Sequence, residues 1–163
     1  MPHSAAATAL RPEASGAGIP NINPVTGLST DYLNHFTEAL MALEMAADIP
    51  ECLDDLKAWR PKSYADHFEQ SRFKNRAVVI DFYRVAEPAL RRQVDWLSDA
   101  INGLLIEAIE TATDPAAVAA TAQHATAAVR PLMAELADLI NGTADKPVER
   151  RSSQAAIDAM FAG

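Results

Sequence analysis

The 163 residues carry a net charge of -8, an isoelectric point near 4.9 and apolar side chains at 49% of positions. That acidity argues against nucleic acid, whose phosphates require clustered Lys and Arg, and the length suits one domain with tails. A lone cysteine, Cys52, forms no internal disulfide, no Cys/His cluster suggests zinc, and no cofactor of its own is expected. No apolar run approaches the roughly 18 residues of a membrane span and the N-terminus lacks a secretion signal, so the expected location is the cytoplasm.

Only six residues are Gly and no run alternates β-branched with polar residues. The expected class is all-α: an elongated antiparallel helical bundle with a flexible N-terminal arm and a tethered C-terminal amphipathic helix. The arm takes residues 1–28, a stretch of Ala, Ser, Gly, Pro and Asn without period, which lies down only over its last few residues. The bundle takes 29–142, a linker 143–151, and a partner-binding helix 152–163.

Within the bundle, Ser29 or Thr30 caps a helix that runs to about Ala47 and stops before Pro50. Its inward stripe is Tyr32 or Leu33, Phe36, Leu40, Leu43 and Ala47. His35 and Glu38 fall on another face, with Met41, Ala42 and Met45 beyond. They read as a hydrogen-bonded surface pair; metal-binding helical bundles use the opposite order, Glu-x-x-His, and use it twice.

A short acidic helix follows from Glu51 to Trp59, pinned by Leu53, Leu56 and Trp59 and closed by Arg60-Pro61. Ser63 then caps a run with helical period from Tyr64 to about Thr111, with Phe68, Phe73, Val78, Phe82, Val85, Ala89 and Val94 among its inward positions. Pro88 predicts a kink or two helices meeting near Glu87. Taken unbroken, about 50 residues reach roughly 75 Å, a length that favours an elongated hairpin and a homodimer. Basic residues from Arg72 to Arg92 form a solvated face.

Asp114-Pro115 turns the chain into an Ala-rich helix from Ala116 to Ile140. Its inward positions are Val118, Ala122, Ala125, Val129, Leu132, Leu136, Leu139 and Ile140. His124 is structural or solvated. Asn141-Gly142 closes the bundle. Beyond the polar linker, a Ser cap opens a short amphipathic helix with Ile157, Met160 and Phe161 as its apolar face. Such a terminal stripe fits helix-in-groove binding of a partner, or docking back on its own bundle.

At the start of the long run, Asp66 and Gln70 lie four apart on one helix face, a carboxylate beside a carboxamide, while Tyr64 and Phe68 turn to the core. On these residues alone the pair is a candidate active site or a solvated surface.

The C-terminal pattern Ser153-Gln154-x-x-Ile157-Asp158-x-Met160-Phe161 resembles the peptide by which the flagellar switch protein FliM binds the receiver protein CheY. Met160 and Phe161 stand where leucines are usual, and Ala156 where an acidic residue is common. The phosphatase CheZ ends in a related helix on a linker and carries an Asp-x-x-x-Gln pair on a bundle helix, which Asp66 and Gln70 match. The chain thus resembles the CheZ-like and CheT-like chemotaxis phosphatases. That resemblance implies a CheY-like receiver as partner, bound by Ser153, Gln154, Ile157, Asp158, Met160 and Phe161, with Mg²⁺ on the receiver. Gln70 would orient the attacking water and Asp66 would pair with the receiver's lysine. The alternatives are a non-catalytic adaptor or sink for the receiver, and a structural helical dimer.

Overall fold

The computed structural model describes residues 21–112 and 115–143; the segment with Ser153, Gln154, Ile157, Asp158, Met160 and Phe161 lies outside the described residues. What is described is mostly helical and contains no strand beyond an isolated bridge between Ile22 and Ser29. Among these residues no helix is long and apolar enough to cross a membrane.

The last residues of the N-terminal arm pack tightly. Asn23 Oδ1 accepts from the N–H groups of Val25 and Thr26 at 2.8 and 3.1 Å, and Gly27 turns the chain at φ 75° with the Phe82 ring against it. Leu28 is consequently fully buried. Thr26 Oγ1 donates to the Ile140 carbonyl and Asn23 Nδ2 to that of Asn141, which fastens this turn to the far end of the chain.

Ser29 opens the first helical segment as expected, its hydroxyl accepting from Asp31 N–H at 3.2 Å. The first turn is a 3₁₀ helix, Thr30–Leu33, which passes into α1, Asn34–Ala46. Tyr32, Phe36, Leu40 and Leu43 are buried as their spacing requires. Ala47 departs from that stripe: the helix ends at Ala46, which takes the last inward position, and Ala47 is exposed. The short α2, Cys52–Ala58, is anchored by buried Leu56, and Trp59 turns into extended backbone before Arg60-Pro61.

The long run resolves into three helices: α3, Tyr64–Glu69; α4, Arg76–Val85; and α5, Pro88–Thr111. The junction at Pro88 falls where the proline predicts it, with Glu87 as the flanking residue. The earlier break is a correction. Gln70 caps α3, and Asn75 adopts φ 61°, a left-handed turn that restarts the helix at Arg76. Because the restart changes the phase, Val79 and Ile80 are buried in α4, while Val85, expected inward, is 77% exposed. No single 75 Å helix exists, so the length argument for a dimer loses its premise.

Asn75 holds its conformation at a cost that its short polar side chain keeps small. Asn75→Ala is expected to lower stability by about 1 kcal/mol, and Asn75→Gly to leave it nearly unchanged, in urea denaturation. Equal losses for both variants would refute this account.

The last helix, α6, spans Pro115–Asn141 and buries all eight positions that its period marks, Val118 through Ile140. It packs most extensively against α5 and then against α1. Glu44 of α1 accepts from Thr126 at 3.1 Å and pairs with Arg130 at 3.7 Å. Since Thr26, before α1, reaches Ile140, α1 and α6 run antiparallel. Gly142 at φ 72° closes the helix, with Thr143 N–H donating back to Asp138 at 2.8 Å.

Candidate functional site

The side chains of Asp66 and Gln70 rest on a very short platform. Ser63 accepts from Asp66 N–H at 3.2 Å and so caps α3 at its start. Gln70 N–H donates to the Asp66 carbonyl at 3.0 Å, so the helical turn carries through to Gln70 and the four-residue spacing is kept. Both residues are exposed. The opposite face supplies the anchor: Tyr64 and Phe68 are buried, their rings 4.8 Å apart, and the Tyr64 hydroxyl accepts from Ser29 N–H at 2.9 Å.

Gln70 also lines a surface cleft of about 670 Å³ between α1 and α2, to which Asp66 does not contribute. Met41, Met45, Cys52 and Trp59 give the cleft its apolar wall, while Glu38, Asp55, Arg60 and Lys62 supply charge. Arg60 and Lys62 are site residues that the sequence pattern did not single out. They lie in the non-periodic Trp59–Ser63 connection, where no helical spacing marks a face.

Behind the cleft, His35 corrects its expected surface position. It is 3% exposed, its Nε2 accepts from Lys62 N–H at 3.0 Å, and its ring stacks on Trp59 with centroids 4.7 Å apart. Glu38 faces solvent. The Lys62 carbonyl in turn accepts from the Tyr32 hydroxyl at 2.7 Å and from Asn102 Nδ2 at 3.3 Å. These bonds hold the α2–α3 connection, and with it α3, against α1 and α5. Among the described residues no group of three or more His, Cys, Asp or Glu side chains is arranged to hold a metal ion.

Burial pushes the His35 imidazole down from 6.5 to about 4, helped by the neighbouring charges of His67 and Lys62. His67, its ring 6.0 Å from that of His35, is lowered by burial and by Lys62, against the opposing Asp31. Both folded-state values lie below the unfolded one. The stabilisation is therefore fully present above about pH 6.5 and is lost as the pH falls toward 4. For His35 the loss amounts to about 3 kcal/mol at most. The denaturant midpoint of the wild type should fall across this window, and His35→Gln should flatten the profile. Parallel profiles would refute the assignment to His35.

No protein-family model, curated protein or solved structure matches the chain. The functional reading therefore rests on the site's own chemistry and on the motifs in the sequence.

Proposed function

We propose that the protein is a CheZ-like phosphatase of a CheY-like receiver, with Gln70 orienting the attacking water. The observation that carries this reading is an exposed carboxylate and carboxamide one helical turn apart on α3. They occur in a chain whose last twelve residues resemble a receiver-binding peptide.

A phosphorylated receiver brings its aspartyl phosphate, Mg²⁺ and lysine to the reaction. Water attacks phosphorus, the bond to the aspartyl oxygen breaks, and aspartate and inorganic phosphate leave. The phosphatase need only place the water in line with the bond that breaks. A carboxamide suits this role because its oxygen accepts from the water while its NH₂ group donates to it. Asp66 contributes by pairing with the receiver's lysine, which fixes the approach. Arg60 and Lys62, on the same cleft as Gln70, add positive charge where the phosphate arrives.

In this reading the helices act as an elongated antiparallel bundle, with 143–151 as the tether. Segment 152–163 captures the receiver through Ser153, Gln154, Ile157, Asp158, Met160 and Phe161 and raises its local concentration beside Gln70. The protein acts in the cytoplasm, where the receiver is phosphorylated.

The second reading, a non-catalytic adaptor or sink, draws on the position of Gln70 at the very end of a six-residue helix. The half-life of receiver phosphate decides between the two. Shortening on addition of the full chain is the result expected of the phosphatase. An unchanged half-life with intact receiver binding favours the adaptor, and no binding at all leaves a structural helical protein.

A further inference from the structure

The connection from Gln70 to α4 is held in a definite shape. Ser71 Oγ donates to the Phe68 carbonyl at 2.6 Å and accepts from Phe73 N–H at 3.4 Å, and Arg76 Nη1 donates to the Ser71 carbonyl at 3.4 Å. Phe73 packs half-buried on the core, its ring 6.2 Å from that of Phe68, before Asn75 turns the chain into α4. Ser71 and Phe73 are drawn inward by these contacts, and Arg72, Lys74 and Arg76 are left exposed.

In a chain of net charge -8 this is a local reversal of sign, since residues 70–76 hold three cations and no acid. Among the described residues Arg72 and Lys74 enter no ion pair; of the basic residues from Arg72 to Arg92 only Arg84 does, with Asp81 at 3.5 Å. Glu69 on α3 and Glu38 and Asp55 at the cleft bring negative charge to the same region. Arg60, Lys62 and Arg76 offset those three acids, which leaves Arg72 and Lys74 uncompensated beside Gln70. Their α-carbons lie within about 7 and about 14 Å of that of Gln70.

We propose that this connection is the docking surface for the phosphorylated end of the receiver, with Arg72 and Lys74 as its contact residues. The inference rests on the receiver as partner, as the phosphatase reading has it, and is independent of catalysis by Gln70.

Charge complementarity selects this occupant. A receiver holds Mg²⁺ through the phosphate oxygens and one or two carboxylates, and the phosphoryl group carries about two negative charges. With Asp66 engaging the receiver's lysine, about one to two negative charges remain on that end after Mg²⁺ is counted, which two free cations match. Phosphorylation replaces one carboxylate charge by about two, so the surface favours the phosphorylated receiver over the unphosphorylated one. Cations placed beside Gln70 also steer that end toward it.

Titration calorimetry of the full chain with the receiver carrying Mg²⁺ and beryllofluoride, an acyl-phosphate mimic, tests the docking. Arg72→Gln/Lys74→Gln should weaken binding about tenfold, with a smaller loss for the receiver without beryllofluoride. Both side chains are exposed, so the variant keeps the fold. Arg84→Gln/Arg92→Gln removes the same number of charges, with Arg84 about 12 Å along α4 from Arg76, and should change affinity less than about twofold. Equal losses in the two double variants, unchanged affinity in the first, or no binding by the wild type would each overturn the proposal. Binding of the wild type to phosphatidylserine vesicles that Arg72→Gln/Lys74→Gln abolishes would overturn it as well, assigning the face to a membrane. Beryllofluoride is not turned over, so the phosphatase reading fails separately, when receiver phosphate is lost no faster in the presence of the chain.

Discussion

Gln70→Ala is expected to slow receiver dephosphorylation by about 100-fold relative to the wild-type protein, with receiver affinity unchanged. The magnitude is what misplacing one reacting partner by about an ångström costs when catalysis consists of positioning. The variant isolates chemistry from folding because Gln70 is exposed at the end of α3 and its helical bond to Asp66 uses the backbone, which alanine keeps. Exposed substitutions of this kind usually change stability by less than about 0.5 kcal/mol. Gln70→Glu sharpens the test by retaining the length while removing the NH₂ donor and adding a charge that repels phosphate. It should be no better than alanine. Asp66→Ala should act differently, raising the receiver concentration needed for half-maximal rate more than it lowers the maximal rate, as expected of a group that fixes the approach. A Gln70→Ala protein as fast as wild type would end the enzyme reading.

Phe68→Ala is expected to cost about 4 kcal/mol of folding stability, read from urea denaturation. The ring is fully buried, 4.8 Å from that of Tyr64 and 6.2 Å from that of Phe73, and alanine leaves a cavity that these two rigid rings fill poorly. The consequence for function follows from the size of α3. Six residues do not form a stable helix in water on their own, so Asp66 and Gln70 stay in place only while Tyr64 and Phe68 hold their platform to the core. Tyr64→Phe removes much less: it keeps the ring and deprives the buried Ser29 N–H of its acceptor, for about 1–3 kcal/mol. If Phe68→Ala cost no more than Tyr64→Phe, the view of α3 as a platform held by aromatic burial would fall. Together these variants separate a site lost by detachment from one lost by chemistry, because Gln70→Ala should leave the denaturation curve where it is.

How far the chain was legible depended on whether a helix ran uninterrupted. In α6, 27 residues long, every residue expected inward from Val118 to Ile140 is buried, since an unbroken 3.6-residue period keeps its phase from end to end. In the run from Tyr64 the same reasoning failed after Glu69. The break lacks the Gly or Pro that usually announces one, and Asn75 makes the left-handed turn instead. Phe73 lies in the connection itself, half-buried, and Val85, expected inward, is exposed.

The sequence by itself determined the all-α class, the caps at Ser29 and Ser63, the junction at Pro88 and the spacing of Asp66 and Gln70. All of these are properties of neighbours within a few positions along the chain, where backbone geometry dictates the outcome. Only the tertiary structure decided that His35 is buried under Trp59 and Lys62, that Arg60 and Lys62 share a cleft with Gln70, and that the stripe of Met41 and Met45 lies open beside it. Periodicity marks which residues of a helix share a face; which of its faces meets a neighbour depends on residues 20 or more positions away, brought together by the burial of the whole core.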